Sequence, residues 1–404
     1  MKILVQKFGG SSVSTDEQRK IVASKISGAV KEGYKVAVVV SAMGRMGAAY
    51  ATDTLKGLVT DESIISKRDM DLLMACGEII SSVVMASELK LLGIEATCLT
   101  GGQAGIITDD CFNDARILQV NPAEIYKEFE RNDVVLVAGF QGMTKDGKIT
   151  TLGRGGSDTT AAALGVALNA ERVDIYTDVD GVKTADPKIV NNAKTLDKIT
   201  YNEICQLAHE GAKVIHPRAV EIAMQGNIPL RVLSTFGEGE GTIVANGVLK
   251  GENVTDIKND RIITGITQKT NVSQLIIDNS AKDQEISNKI FKALAQAEIS
   301  VDFISINETE IIFTVKYTDC EKAVAIINNL GLKVKTNPHC AKVAAVGAGM
   351  TGVPGVMSKI VEALTEKNIK ILQSADSYTS IWCLVPQENM EEAVRTLHEK
   401  FNLG

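Results

Sequence analysis

Short apolar runs alternate with longer amphipathic segments along the first half of the chain. The runs have the length and branched side chains of buried strands, at residues 3–5, 35–40, 96–99, 133–138 and 172–177. Apolar residues at helical spacing predict helices from about residue 15, over 67–92, over 122–131 and from about 160 to 168. This alternation predicts a three-layer α/β domain with a largely parallel sheet, and Asp146-Gly147 predicts a hairpin over residues 145–149.

An internal repeat marks the second half of the chain. Several pairs of residues recur 70 positions later, among them Lys289-Ile290 as Lys359-Ile360, Ala293-Leu294 as Ala363-Leu364, and Ile299 as Ile369. Each copy has the pattern of strand, helix, two strands, helix and strand, which predicts two ferredoxin-like units. We therefore expect a first domain at 1–245, a linker at 246–260, and repeat domains at 261–335 and 336–404.

Composition narrows the class of protein. The 404 residues carry a net charge of -7, which argues against a nucleic-acid partner. We expect no apolar run of membrane-spanning length and no signal peptide. The seven cysteines are scattered without a Cys-x-x-Cys pair and the four histidines are dispersed, so we expect a cytoplasmic protein with reduced thiols and no metal cluster.

The first candidate for chemistry follows the first predicted strand. Residues 7–12 read Lys-Phe-Gly-Gly-Ser-Ser and precede a predicted helix. Glycines let backbone N–H groups approach an anion and a lysine adds a point charge, so the segment is typical of a phosphate site. The alternative is a strand-to-helix turn that needs glycine only for its backbone angles.

A second glycine-rich segment lies at residues 150–160. Gly153, Gly155 and Gly156 offer backbone donors, and Arg154 offers a planar fork for a carboxylate or a phosphate. Asp158 stands at the head of the alanine-rich helix, where its alternative role is that of a helix N-cap.

Six segments together resemble the amino-acid kinase superfamily and, within it, the aspartate kinases. They are residues 7–12, 41–44 (Ser-Ala-Met-Gly), 76–78 (Cys-Gly-Glu), 151–159 (Thr-Leu-Gly-Arg-Gly-Gly-Ser-Asp-Thr), 176–187 (Tyr-Thr-Asp-Val-Asp-Gly-Val-Lys-Thr-Ala-Asp-Pro) and 211–217 (Gly-Ala-Lys-Val-Ile-His-Pro). The resemblance covers the whole chain, because single-function aspartate kinases end in two ACT domains. The chain is most similar to the diaminopimelate-sensitive aspartokinase I type.

The resemblance implies transfer of the γ-phosphoryl group of ATP, accompanied by Mg²⁺, to the side-chain carboxylate of L-aspartate. A carboxylate is ionised at pH 7 and needs no general base, so catalysis reduces to positioning and positive potential. The catalytic residues implied are Lys7, Arg154 and Asp158, with Asp158 holding Lys7 in place. The implied ATP-binding residues are Lys7, Phe8, Gly9, Gly10, Ser11, Thr177, Asp178, Gly181, Val182, Lys183, Asp186, Pro187 and Lys213.

For the amino acid, the resemblance places Glu78 on the α-ammonium and Arg154 on the α-carboxylate. The implied substrate-binding residues are Ser41, Thr52, Glu78, Arg154, Gly155 and Ser157. The alternative for Glu78 is a solvated helix charge, which its position in a mostly apolar helix disfavours.

The ACT domains imply a homodimer formed through them and feedback inhibition by an amino acid. The implied effector-binding residues are Met350, Gly352, Val353, Pro354, Gly355, Gln373 and Asp376. Residues 278–284 of the first copy lack the Pro-Gly of lysine- and threonine-sensitive relatives, which favours meso-diaminopimelate over lysine or threonine. In the family, the strand at 262–266 pairs with the second copy.

Two other functions compete with this one. The first is a kinase of the same superfamily that acts on glutamate, acetylglutamate, carbamate or a nucleotide, although such kinases typically lack two ACT copies. The second is a catalytically inactive amino-acid sensor, against which intact Lys7, Glu78, Arg154 and Asp158 argue.

Overall fold

The computed structural model describes residues 1–212, 214–246, 262–279, 284–350 and 352–404. These residues form two compact units. The first comprises the described residues of Met1–Val182, Thr195–Ala208 and Lys213–Ile257, and the second those of Lys183–Lys194, His209–Ala212 and Lys258–Gly404. Apart from residue 246, the predicted linker at 246–260 lies outside the described residues.

Strands and helices alternate in the first half of the chain. The strands are β1 (Lys2–Phe8), β2 (Tyr34–Val40), β3 (Ala96–Leu99), β4 (Ile106–Thr108), β5 (Ile117–Val120), β6 (Val134–Ala138), β7 (Gln141–Thr144), β8 (Ile149–Thr151), β9 (Val173–Thr177), β10 (Lys198–Ile199), β11 (Leu230–Ser234) and β12 (Thr242–Val244). The helices are α1 (Asp16–Lys31), α2 (Thr52–Lys56), α3 (Lys67–Met74), α4 (Cys76–Leu91), α5 (Ala123–Glu128), α6 (Gly156–Ala167), α7 (Tyr201–His209) and α8 (Pro217–Gly226).

The main sheet of the first unit has the strand order β10-β12-β11-β9-β1-β2-β6-β3 within the described ranges. All its neighbouring strands are parallel except β11 and β12. Alternate strand residues such as Leu4, Val38 and Leu136 pack with α1 and α4 in one core cluster. On the other side, α6 contacts β1, β2 and β9 and packs against α8. The carboxyl ends of β1, β2 and β6 therefore meet at one edge, where ligands bind in such sheets.

The start of α1 illustrates how the local sequence determines where a helix begins. The amide of Gln18 donates to Thr15 Oγ1 at 3.3 Å, and the amide of Thr15 donates to Gln18 Oε1 at 3.1 Å. This reciprocal capping box satisfies two otherwise free amides and fixes the first residue of the helix.

A second, smaller sheet of the first unit has the order β5-β4-β7-β8 within the described ranges. The predicted hairpin through Asp146-Gly147 is present as β7 and β8. Strands β4 and β5 were not predicted, because they are three and four residues long and β5 has no fully buried side chain. The predicted helix at 122–131 is shorter and spans Ala123–Glu128.

The continuous helical stretch Lys67–Leu91 is long and apolar enough to cross a membrane, by length and composition alone. The expectation that no segment reaches that length was therefore wrong. Half of the qualifying window is buried within the structure, and α4 contacts β3 and β6. One such helix is weak evidence, because the core helices of globular domains meet the same criterion.

The second unit contains two βαββα segments that share long strands. Its strands are β13 (Gly265–Asp278), β14 (Asp302–Ile306), β15 (Glu310–Lys316), β16 (Val334–Val346), β17 (Gln373–Asp376) and β18 (Ser380–Pro386). Its helices are α9 (Gln284–Gln296), α10 (Cys320–Asn329), α11 (Val356–Glu366) and α12 (Met390–Lys400). They build one antiparallel sheet in the order β14-β15-β13-β16-β18-β17 within the described ranges.

The last strand expected for the second copy is not found after α12 among the described residues. Instead, residues Gly265 to Lys269 of β13 pair with Val346 to Lys342 of β16. The same part of β16 pairs along its other edge with β18. The first residues of β13 thus supply a neighbouring strand for the second copy.

The two edge strands of this sheet approach each other. Gln373 on β17 donates from Nε2 to the carbonyl of Phe303 on β14 at 2.7 Å. The rings of Phe303 and Trp382 meet edge to face with centroids 6.3 Å apart. The enclosed face also holds Lys342, whose side chain is 3% exposed, 4.9 Å from the centroid of the Trp382 ring.

Candidate active site

An open cleft of about 440 Å³ lies in the first unit, at the carboxyl end of the parallel strands. Its lining includes eight of the residues expected at a catalytic or substrate site, which are Lys7, Ser41, Thr52, Glu78, Arg154, Gly155, Ser157 and Asp158. It also includes Asp53, Lys56, Met74, Asn113, Phe140, Gly153 and Gly156. Four of the six segments that carry the sequence resemblance, 7–12, 41–44, 76–78 and 151–159, therefore contribute residues to one cavity.

Lys7 and Asp158 form the central ion pair of the cleft. Lys7 Nζ lies 2.7 Å from Asp158 Oδ1, and the two side chains are 12% and 13% exposed. Asp158 does not cap α6: the N-cap is Gly155, and Asp158 lies in the first turn of the helix. The N-cap alternative for Asp158 is therefore wrong, and its carboxylate is free to orient the lysine ammonium.

The glycine turn after β1 makes close backbone contacts that a side chain would prevent. A Cβ atom at Gly10 would lie 2.4 Å from the carbonyl oxygen of Ala42. The carbonyl of Gly10 in turn accepts a hydrogen bond from the amide of Gly44 at 2.9 Å. The turn at residues 7–12 is thus locked against the loop that follows β2, which carries Ser41.

Phe8 lies in the core and not in the cleft. Its side chain is fully buried and its ring stacks on Tyr176 with a centroid distance of 4.6 Å and an interplanar angle of 9°. Only the backbone of Phe8 is therefore placed to meet a ligand.

Glu78 is a buried acid in the first turn of α4. It is 2% exposed, and burial raises its pKa to about 8, an effect that the hydrogen bond from the Ala42 amide to Oε1 at 3.2 Å partly opposes. A hydrogen bond from the Thr52 side chain also lowers the pKa of this carboxyl, while Oε2 accepts no hydrogen bond of good geometry from the described residues. The solvated-charge alternative for Glu78 is therefore wrong, and the free oxygen is suited to a cationic group of a ligand.

The Arg154 loop is fixed by the positions of its glycines. Gly155 has a φ of +69°, and a Cβ there would lie 2.2 Å from Cγ of His216. Arg154 itself is exposed, while the Ser41 hydroxyl donates to Ser157 Oγ at 2.9 Å. The guanidinium is therefore available to a ligand while its loop is rigid.

The residues expected to bind nucleotide are spread more widely. Thr177 ends β9, and Asp178 forms an exposed ion pair with Arg45 at 2.9 Å. Gly181 has a φ of +142° and precedes Val182, whose amide donates to Thr242 Oγ1 at 2.8 Å. Lys183, Asp186 and Pro187 belong to the second unit, and Lys213 lies outside the described residues.

Comparison with known proteins decides the family. Residues 2–234 match the model of the amino acid kinase family, and residues 278–330 and 335–399 each match an ACT domain. The chain is 52% identical to aspartokinase 1 of Bacillus subtilis, with 100% of both chains covered. It is 39% identical to the aspartokinase of Corynebacterium glutamicum, covering 100% of this chain and 97% of the relative.

The chain belongs to the aspartokinases. This family transfers phosphoryl groups to carboxyl groups, so the expected enzyme class is confirmed. A structure of E. coli aspartokinase III in complex with aspartate and ADP, described as the R-state, matches with a TM-score of 0.77 at 26% identity over 99% of both chains. The same enzyme with lysine and aspartate, described as the T-state, matches with a TM-score of 0.75 at 26% identity, again over 99% of both chains. The expected fold class is confirmed as well.

The effector residues expected in this aspartokinase occupy two kinds of environment. Met350 is buried in a core cluster with α11 and α12, so its side chain is not available to a ligand. Val353 and Pro354 are exposed, and Gly355, with a φ of +89°, is the N-cap of α11. Gln373 accepts a hydrogen bond from Gln274 at 3.0 Å, while Asp376 is exposed on β17.

Sequence reasoning missed five lining residues of the aspartokinase cleft: Asp53, Lys56, Met74, Asn113 and Phe140. Asp53 and Lys56 follow Thr52 on α2, so their proximity to a predicted site residue was an available signal. Asn113 and Phe140 both have positive φ angles, of 74° and 67°, which no motif in the sequence indicated.

Proposed function

We propose that this aspartokinase converts ATP and L-aspartate to ADP and 4-phospho-L-aspartate, in the cytoplasm, as the first step towards diaminopimelate, lysine, threonine and methionine. The observation that supports it best is the cleft itself. It combines a lysine–aspartate pair, an exposed arginine and a buried, partly unpartnered glutamate. A substrate with two carboxylates and one ammonium group matches these three charges.

The roles in this proposal follow from charge. A carboxylate oxygen of the L-aspartate side chain attacks the γ-phosphorus, and the bond from that phosphorus to the bridging oxygen of ADP breaks. The Lys7 ammonium offsets the negative charge shared by the two reactants, and Asp158 orients it. Backbone amides of Gly9, Gly10 and Ser11 donate to phosphate oxygens.

The amino acid is oriented at its other end. Arg154 forms a two-point contact with the α-carboxylate, while Glu78 ionises as it receives the α-ammonium. Ser41, Thr52, Gly155 and Ser157 complete the pocket. Thr177, Asp178, Gly181, Val182, Lys183, Asp186, Pro187 and Lys213 remain the proposed nucleotide contacts.

Mg²⁺ enters the proposal with the nucleotide. The carboxylate beside the proposed phosphate position, that of Asp158, is already paired with Lys7 at 2.7 Å. Phosphate oxygens and water are therefore the ligands we expect the ion to use, and the charge it adds there further offsets that of the phosphates.

The test is ADP formation with a panel of acceptors: L-aspartate, L-glutamate, N-acetylglutamate, carbamate and a nucleoside monophosphate. We expect ADP only with L-aspartate, and a fall in kcat of about 100-fold or more in Lys7→Ala. Lys2→Ala is a matched control, because Lys2 is an exposed residue of the same strand. ADP formation with another acceptor alone would favour a different kinase of the superfamily, and no ADP at all would favour an amino-acid sensor.

A further inference from the structure

Asn113 is a cleft residue whose polar side chain has no described partner. It follows β4, lines the cleft and has a φ of +74°. Its Oδ1 atom is buried and accepts no hydrogen bond from the described residues. A buried acceptor without a partner costs free energy in a folded protein unless a ligand or water satisfies it.

The backbone of Asn113 is held firmly in this unusual conformation. Its amide donates to both carboxylate oxygens of Asp71, at 3.1 Å each. The same carboxylate accepts from the amide of Thr151 at 2.8 Å and from its hydroxyl at 2.6 Å. Asp71 is fully buried and therefore joins the Asn113 loop rigidly to the strand that leads into Arg154.

A second anchor supports the same loop. Arg218 donates to the carbonyl of Leu152 at 2.8 Å and to Asp114 Oδ1 at 3.1 Å. A Cβ at Gly153 would lie 2.6 Å from that Asp114 oxygen. The Asn113 loop and the Arg154 loop are thus packed side by side, and the position of one fixes the position of the other.

Helix periodicity shows which helix face Asn113 contacts. Asp71, Met74 and Glu78 lie at i, i+3 and i+7 along the continuous helical stretch Lys67–Leu91, so they share one face. Asp71 holds Asn113, while Met74 and Glu78 line the cleft. Asn113 is therefore held against the same helix face that presents Met74 and Glu78 to the cleft.

We propose that Asn113 is a substrate-binding residue whose side-chain carbonyl accepts a hydrogen bond from the α-ammonium of the amino acid. This inference rests on the proposed function. An ammonium group has three donors, and Glu78 Oε2 and Asn113 Oδ1 are two buried acceptors in the same cleft that lack partners among the described residues. Together they select an amino acid over a dicarboxylate that has no ammonium group.

The test compares three substitutions in the full-length enzyme. Asn113→Gly removes the amide and tolerates the positive φ, and Asn113→Asp keeps an acceptor of the same shape but cannot donate. We expect Asn113→Gly to raise the KM for L-aspartate about tenfold or more, with the KM for ATP within twofold of wild type. Asn113→Asp should keep the KM for L-aspartate within about threefold. Asn169→Gly is the matched control, because Asn169 also has a positive φ, of 47°, and lies outside the cleft lining.

Each outcome distinguishes a direct contact between Asn113 and the substrate from a purely structural role of Asn113. An unchanged KM for L-aspartate in Asn113→Gly overturns the proposal. Equal losses in Asn113→Gly and Asn113→Asp also overturn it, because the amide would then act as a donor to a carboxylate. A parallel rise in both substrates' KM values would mean a general change of the cleft, and would overturn it as well. Wild-type enzyme without L-aspartate-dependent ADP formation would instead refute the proposed function.

Discussion

At the scale of single residues, the buried carboxyl of Glu78 carries the strongest electrostatic consequence. Its pKa is about 8 in the folded chain, against an ordinary value of 4.5. Between these values the folded state binds more protons than the unfolded state, so stability falls as the pH rises through this window. The contribution is fully present below about pH 4.5 and is lost as the pH approaches 8.

We therefore expect Glu78→Gln to flatten the dependence of stability on pH. Glutamine has the same shape and no charge to bury, so the variant should unfold at a higher temperature than wild type at pH 8 and at a similar one at pH 5. Thermal unfolding across that range, without substrate, measures the effect. Glu88→Gln, another glutamate of α4, supplies the control. Parallel pH profiles for wild type and Glu78→Gln would show that Glu78 is not the titrating group.

The same substitution should separate stability from binding. L-Aspartate brings an ammonium that favours ionised Glu78, so binding at pH 7 should release protons in wild type and not in Glu78→Gln. Calorimetry in two buffers with different ionisation enthalpies reports this proton release. Identical proton counts in both proteins would contradict the assignment of Glu78 to the ammonium.

At the scale of elements, strand β16 carries a buried lysine that forms two ion pairs. Lys342 Nζ lies 3.1 Å from Glu210 Oε2 and 3.0 Å from Asp302 Oδ2, and all three residues belong to the second unit. Glu210 directly precedes residues 211–217, one of the six family segments. Thr267 on β13 donates to the carbonyl of Glu210 at 3.4 Å. Strands β13 and β16 thus both contact Glu210 within the second unit.

Removing this lysine alone should be costly. Lys342→Met leaves the Glu210 carboxylate, 9% exposed, without its cation, and we expect a loss of about 3 kcal/mol in the free energy of unfolding. Adding Glu210→Gln should recover most of it. The fluorescence of Trp382, the single tryptophan of the chain, reports unfolding around the substituted residue, because its ring lies 4.9 Å from Lys342 Nζ. Lys335→Met, at an exposed position of the same strand, is the control. A small effect of Lys342→Met on the free energy of unfolding would mean that the Glu210 carboxylate does not depend on this lysine to compensate its charge.

The elements also show what sequence could and could not predict. The strands that flank the cleft were predictable, because parallel strands buried on both faces are short apolar runs such as residues 35–40. That Lys7, Glu78, Arg154 and Asp158 line one cleft was predictable from their motifs. The position of Asn113 was not, because it depends on hydrogen bonds that the Asp71 carboxylate accepts from residues 42 and 80 positions away. The pairing of Gly265 with Val346 was expected only from the family resemblance, which places the strand at 262–266 beside the second copy, because a repeat in sequence does not itself reveal which strand lies beside which.

At the scale of the whole molecule, an amino acid kinase domain and two ACT domains occur in one chain. We propose that an amino acid inhibits the enzyme through the ACT domains and that the enzyme is a homodimer joined by them. Inhibition requires that the effector binds one arrangement of the dimer more tightly than another.

We expect meso-diaminopimelate to inhibit more tightly than lysine or threonine. The missing Pro-Gly of residues 278–284 favours this order, although residues 280–283 lie outside the described structure. Titration of the three amino acids, singly and in pairs, into an L-aspartate-dependent ADP assay measures it. Asp376→Asn, a change at an exposed position of β17, should weaken inhibition without changing the uninhibited kcat. Tight inhibition by lysine alone would contradict the assignment.

The shared strands β13 and β16 have a consequence for how such enzymes can be rebuilt. Because Gly265 to Lys269 belong to the first strand of the first copy yet pair with β16, the strand that opens the second, the two copies cannot be exchanged independently of each other. In a chimera that takes only the second copy from a relative, residues 265–269 of this chain would have to pair with the relative's version of β16. Transfer of effector sensitivity between relatives should therefore succeed only when recombination carries residues 262–404 as one block.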